Sequence, residues 1–166
     1  MGSQDTSHGL IFSPHFIRHK ALPIWKRIAR PIKEKGFRFL YRTDGRAKEI
    51  LPIIVNEFGA EGFNPIDRNG CNDIFGIRRN YPRLLLFGNV CCETMLPYGT
   101  PEQVEQETLE LIERIGPQGG ILIGSSSEAH DLVPAENALG MYETVRRYGR
   151  CPIKVRDMLQ KVGDRL

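Results

Sequence analysis

The sequence predicts an α/β fold built on a parallel sheet, and two observations carry this. Short strand-like runs alternate with helical patterns along the chain, the order that parallel strands with helical crossovers require. The strand-like runs are also near-continuously apolar, as strands buried on both faces are.

The chain starts helical. Ser13 can cap a helix beginning at Pro14, and Ile24, Trp25, Ile28 and Ile32 lie on one side of that segment. Pro23 and Pro31 should break or kink it, and Gly36 should end it. FRFLY (37–41) is the first strand. In KEILPIIVNEF, residues Leu51, Ile54, Val55 and Phe58 follow the helical i, i+3, i+4, i+7 rule. GFNP (62–65) is the second strand, and Asp73 to Asn80 a short helix after it. RLLLFGNV (83–90) is the third strand. In PEQVEQETLELIERI one face carries Val104, Thr108, Leu111, Ile112 and Ile115. Thr100 fits its N-cap, Pro101 its first position, and Gln103 completes a capping box. GILIGS (120–125) is the fourth strand. A last helix from about Pro134 to Tyr148 turns Ala138, Met141, Tyr142 and Val145 inward and stops at Gly149. Residues 1–153 thus form one domain. KVRDMLQKVGDRL beyond Ile153 reads as a short helical tail, with Val155, Met158, Leu159 and Val162 on one face.

The totals bound the classes of function. A length of 166 residues suits one domain with a core. The composition, 40 % hydrophobic and 26 % charged, is that of a globular protein. The net charge of +3 comes from Lys and Arg scattered among Glu, so no nucleic-acid footprint is expected. No apolar stretch reaches the length of a membrane span, and the polar opening MGSQDTSHG has no signal-peptide core. Cys71, Cys91, Cys92 and Cys151 form no CxxC pair, and the vicinal pair suits neither a disulfide nor zinc. Reduced thiols in a cytoplasm are the expectation.

Two architectures fit the alternation: a doubly wound open sheet, or part of a (β/α)8 barrel, since a whole barrel takes about 250 residues. In either, ligands bind beyond the carboxyl ends of the strands. That rule selects Arg42, Thr43 and Asp44, then Asn64 to Asp67, then Asn89 with Cys91 to Glu93, then Gly124 to His130. Each group also has a plain reading. Asp44–Gly45 could be a turn whose carboxylate caps a helix, and Asn64 could hold an extended turn before Pro65. Asn89 could satisfy loop backbone. The serine run could be an anion-binding nest ahead of a helix, without the spacing of a P-loop. His130 beside Asp131 has the form of a general base with its orienting carboxylate, or of a solvated loop histidine. No HExxH, GxSxG, GxGxxG or Walker motif is present.

In this order and spacing, SPHFIRHKALPIWKRI (13–28), RTDG (42–45), GFNPID (62–67), LFGNV (86–90), LPYGTPEQV (96–104) and VPAENALGMYETVRRYGR (133–150) resemble the uroporphyrinogen decarboxylase family. That superfamily of (β/α)8 barrels also includes zinc- and corrinoid-linked methyltransferases. The resemblance covers the carboxyl-terminal half of the barrel and implies a partial barrel of about four βα units. MGSQDTSHG resembles the middle of a family strand and loop, and the essential aspartate and basic residues of the amino-terminal half have no counterpart.

The strand-end rule and the resemblance together give the candidate site. Substrate contacts are expected at Ser7, Arg42, Thr43, Asn64, Asn89, Ser126 and Ser127, with Asp44 and His130 as catalytic candidates. The resemblance itself reaches Ser7 and the Arg42–Asp44 tip, and His130 rests on its own place beside Asp131. In methyltransferase members the Arg42 and Asp44 positions hold a zinc-binding histidine and cysteine. Arginine cannot bind a metal, so no metal site is expected. A decarboxylase histidine falls near Ser126 or Ser127, where this chain has serine, and His130 lies close to that position. The implied chemistry is proton transfer to a pyrrole carbon and loss of carbon dioxide from an acetate side chain, with no cofactor. The alternatives are corrinoid-linked methyl transfer and a non-catalytic half-barrel. Open sheet edges and apolar inner side chains predict a homodimer or a complex with an amino-terminal half-barrel.

Overall fold

A computed structural model describes residues 5–6, 9–68, 70 and 72–153. Strands β1 (Asp5–Thr6) and β2 (Gly9–Leu10) pair antiparallel in a small hairpin. Helix α1 (Pro14–Phe16) starts where Ser13 Oγ accepts the Phe16 N–H at 3.1 Å. It continues through a π-helical turn, Ile17–Ala21, into α2 (Leu22–Glu34).

Neither proline breaks this helix. The Leu22 N–H bonds Ile17 O five residues back, so the backbone is already widened where Pro23 enters, near the start of α2. Pro31 stands on the exposed side, where water can serve the carbonyl that its ring leaves unpaired. Of the predicted apolar side only Trp25 is buried; Ile24, Ile28 and Ile32 are exposed. Trp25 packs tilted against Tyr41 at 5.3 Å and edge-on against Phe58 at 6.0 Å, sealing α2 to the first parallel strand and the helix after it.

The main sheet has the order β3 (Leu40–Arg42), β4 (Gly62–Asn64), β5 (Leu85–Phe87), β6 (Ile121–Leu122), all parallel. Between the strands lie π-helical Ile53–Glu57, α3 (Ile74–Asn80), short α4 (Met95–Tyr98) and α5 (Pro101–Arg114); α6 (Ala135–Tyr148) follows β6. The predicted strand at 37–41 is shorter and later. Phe37 is 63 % exposed, and Phe39 joins the sheet only through Glu61, by its N–H to Oε2 and its carbonyl to the Glu61 N–H.

Register decides what each face does. Tyr41, Phe63, Leu86 and Ile121 share one row, and the first three are buried under the helices. Leu40, Gly62 and Leu85 share a row on the opposite face. There a Cβ on Gly62 would lie 2.3 Å from Leu40 Cδ2, so glycine lets Leu40 lean across. Phe87 and Leu122 lie on that face too, and Leu40 and Leu122 are 44 % and 52 % exposed. Among the described residues, helices thus cover one face of the sheet and leave the other open. This is a partial (β/α)8 barrel seen from its own interior.

The cap of α5 is as predicted: Thr100 Oγ1 accepts the Gln103 N–H and Gln103 Oε1 accepts the Thr100 N–H. Its inward face is buried at Val104, Thr108, Leu111, Ile112 and Ile115. Helix α6 is rolled relative to expectation. Asn137 Nδ2 donates to Leu96 O and Gly99 O, both at 2.8 Å. This pins Asn137 and Thr144 inward and leaves Tyr142 exposed. At the opposite end of the sheet, buried Arg78 donates to the carbonyls of Pro82, Leu84, Gly119 and Gly120. It ties the loops that lead into β5 and β6, and burial lowers its pKa. No helix of the described residues is long and apolar enough to cross a membrane. The predicted tail, 154–166, lies outside the described residues.

Candidate functional site at the carboxyl rim

The strands end on one rim, and its two edge loops meet. Arg42 is the last residue of β3. Its Nη2 donates to Glu128 Oε1 at 2.7 Å and lies 3.7 Å from Asp44 Oδ2. Asp44 Oδ1 accepts a hydrogen bond from Ser127 Oγ at 3.1 Å. The loop after β3, at one edge of the sheet, therefore grips the loop after β6, at the other. These side chains are exposed, Glu128 most of all at 81 %. Exposed ion pairs contribute at most about 1 kcal/mol, so stability gives little reason for the cluster.

The loop carrying Asp44 is held from below. Buried Asn72 donates from Nδ2 to Gly45 O (2.7 Å) and Asp67 O (2.9 Å), and its Oδ1 accepts the Ala47 N–H. A Cβ on Gly70 would fall 2.3 Å from Gly45 O, so the two loops touch backbone to backbone there.

A second, deeper network joins β4, β5 and α5. Buried Asn89 donates from Nδ2 to Ile66 O at 2.8 Å and accepts from Arg68 Nε at 3.2 Å. Arg68 Nη1 also pairs with Glu107 Oε2 at 3.1 Å, and Glu107 Oε1 accepts the Cys91 N–H at 3.3 Å. Burial raises the Glu107 pKa above its ordinary value; Arg68 and the Cys91 N–H pull it back in part.

The predicted residues divide by what holds them. Arg42, Asp44 and Ser127 come together at the surface of the rim. Asn64 stands in register with Arg42 on the open face. Thr43 is buried, its N–H donating to Asn64 O at 3.2 Å. Asn89 supports Arg68 from beneath. Ser126 is buried, with Oγ accepting the Cys92 N–H at 3.1 Å and its own N–H donating to Val90 O. His130 turns to backbone, not to Asp131. Its Nδ1 accepts the Leu132 N–H at 3.3 Å, which leaves the proton on Nε2, 3.0 Å from Cys92 O. Ser7 lies outside the described residues. Among the described residues no group of three or more His, Cys, Asp or Glu side chains is placed to hold a metal ion.

Sequence reasoning missed Arg68 and Glu107, although both left a signal: Arg68 directly follows a strand tip, and Glu107 sits three residues from Val104 and four from Leu111 on an otherwise apolar face. Glu128 lay within the selected rim segment, but its pairing with Arg42 was not foreseen, because the partner is remote in sequence.

Residues 2–148 match the family described as Uroporphyrinogen decarboxylase (URO-D). No curated protein matches the chain. Among solved structures, a methyltransferase from Methanosarcina mazei superposes with a TM-score of 0.67 at 18 % identity, over 84 % of this chain and 39 % of that one. At that identity the likeness is one of fold, and the chain spans about two fifths of that neighbour's length. With the match running through nearly every element described above, the chain belongs to the uroporphyrinogen decarboxylase family.

Proposed function

We propose that the rim binds a carboxylate of a polyanionic, tetrapyrrole-like substrate and serves the decarboxylation that the family resemblance implies. One observation carries this reading: the Arg42 guanidinium already holds a carboxylate, that of Glu128, and Glu128 is almost wholly exposed. A substrate carboxylate can take its place, and the planar guanidinium fork suits that exchange. Asp44, oriented by Ser127, then stands beside the bound group as hydrogen-bond partner or proton carrier. A proton delivered to a pyrrole carbon makes the ring an electron sink. The bond to the acetate carboxylate then breaks and carbon dioxide leaves. Protonation of the resulting exocyclic methylene, with loss of the ring-carbon proton, gives a methyl group, with one proton consumed overall.

The test is a fluorescence titration of the chain with uroporphyrin. Arg42→Ala should weaken binding about tenfold or more, since a charge-assisted hydrogen bond contributes about 1.5–3 kcal/mol. Glu128→Gln should bind at least as well as the parent, because a competitor for Arg42 is removed. Undiminished binding by Arg42→Ala would sink the proposal. Incubation with uroporphyrinogen, followed for decarboxylated porphyrins, then tests turnover.

Methyl transfer is the second reading, drawn from the methyltransferase neighbour. What supports it is the shared fold, while Arg42 and Asp44 stand where the resemblance places a zinc-binding histidine and cysteine. Tight binding of zinc or of a corrinoid, measured by calorimetry, would favour it over decarboxylation.

A further inference from the structure

Two of the chain's four histidines stand side by side on the surface. His15 lies in α1, and His19, four residues on, lies in the π-helical turn Ile17–Ala21. Both are exposed, and their ring centroids are 4.3 Å apart with planes 44° from parallel. Among the described residues neither imidazole makes a hydrogen bond or an ion pair. The backbone under them is well held. Ser13 caps the first turn through the Phe16 N–H, and its carbonyl accepts the Ile17 N–H at 3.0 Å. Ile17, midway between the two histidines in sequence, is wholly buried and anchors the turn to the core. Phe12 and Phe16 stack at 4.9 Å across the same turn.

Stability gives little reason for this pairing, because like charges four residues apart on a helix repel. A metal ion reverses that balance: histidines at i and i+4 on one helical face present two nitrogens to one ion. An ion about 2.0–2.1 Å from each nitrogen needs the two nitrogens about 3 Å apart. Rings at 4.3 Å between centroids reach that separation by small rotations about their side-chain bonds. The cation between them in sequence is already answered. Arg18 pairs with Glu57, Nε donating to Oε1 at 2.9 Å and Nη2 lying 2.8 Å from the same oxygen. The Glu57 pKa is lowered, first by that hydrogen bond and further by the charges of Lys26 and His19, so its carboxylate lies within electrostatic reach of the pair.

We propose that His15 and His19 form a surface site for a divalent transition-metal ion of the nickel, copper and zinc class. Imidazole suits those ions, whereas magnesium and calcium take oxygen ligands. Among the described residues no third His, Cys, Asp or Glu completes the pair. Water therefore takes the other coordination positions, and the site is open and exchangeable. The bound ion ties α1 to the π-helical turn and holds the widened backbone that carries the helix past Pro23. The inference does not depend on the rim chemistry proposed above.

The experiment titrates the chain with the chlorides of nickel, cobalt, zinc and magnesium by calorimetry in a non-chelating buffer. The thermal midpoint and amide hydrogen exchange are followed in parallel. Nickel should bind more tightly than cobalt, and magnesium should not bind. Saturating nickel should raise the thermal midpoint, because the ion favours the folded helix, and should slow exchange across Ile17–Leu22. His15→Ala and His19→Ala should each weaken nickel binding at least tenfold. Alanine at an exposed helical position keeps the helix, so the circular dichroism spectrum should not change. His130→Ala should leave nickel binding as it is. Zinc held at the rim, as the methyl-transfer reading requires, would survive both helix substitutions, which separates the two sites. Nickel binding that persists in His15→Ala and His19→Ala, or that is lost in His130→Ala, would overturn the assignment. Failure of the parent chain to bind nickel at millimolar concentration would overturn the proposal altogether.

Discussion

Glu107 shows how one residue can serve the site without touching a ligand. It projects from α5 into an apolar layer and meets Arg68 and the Cys91 N–H there. Burial is the largest influence on its pKa, and the pKa is raised. The folded chain therefore holds the Glu107 proton more tightly than the unfolded chain does. Its contribution to stability is full below the ordinary value of 4.5 and is lost as pH rises through the higher folded value. Glutamine keeps the acceptor for Cys91 and cannot ionise. Relative to the parent, Glu107→Gln should thus gain stability as pH rises above the ordinary value of 4.5, measured as the difference in urea midpoints. The opposite slope would mean that pairing with Arg68 outweighs desolvation. His130 makes the complementary point: with both ring nitrogens on backbone partners, its place in the loop is accounted for by Cys92 and Leu132.

At the scale of elements, α5 is the helix whose start is most completely specified. Its capping box closes both ways between Thr100 and Gln103, and Pro101 occupies the first turn. Thr100→Ala removes one half of that exchange and should cost about 1 kcal/mol, read as a lowered urea midpoint with an unchanged slope. A loss below about 0.2 kcal/mol would show that packing on α6 alone fixes the helix start. This cap was legible in the sequence because its signals are local, as was the Ser13 cap. The rim was legible for a related reason: the apolar run of the first strand stops at Tyr41, and Arg42, the last residue of β3, and Asp44 follow at once. What the sequence hid was set by remote partners. Asn137 rolls α6 so that Tyr142 faces out. The widened turn at Ile17–Ala21 lets the helix run past Pro23. Glu128 pairs with Arg42 across 86 residues of sequence, where the loops after the two edge strands meet.

The whole molecule is a curved sheet with one finished side. Tyr41, Phe63 and Leu86 bury against helices, while their neighbours along the same strands, Leu40 and Phe87 among them, point to the unfilled interior. A face of this kind adds little to the stability of the chain, yet among the described residues it offers apolar surface and two strand edges without a partner strand. Stability and association should therefore separate cleanly. Replacing Leu40 by Lys and Leu122 by Glu places opposite charges on the open face and leaves the helix-covered face untouched. The thermal midpoint should move by no more than a few degrees, since exposed substitutions usually change stability by about 0.5 kcal/mol or less. Sedimentation velocity over a range of concentrations should show the parent associating and the double variant much less so. If instead the double variant unfolds, the open face is packed in the isolated chain. If it associates as strongly as the parent, the contacts lie on the strand edges or on the exposed sides of the helices. The rim loops lie beyond the carboxyl ends of these strands, so the Arg42–Glu128 contact should survive in the variant and uroporphyrin binding should be retained.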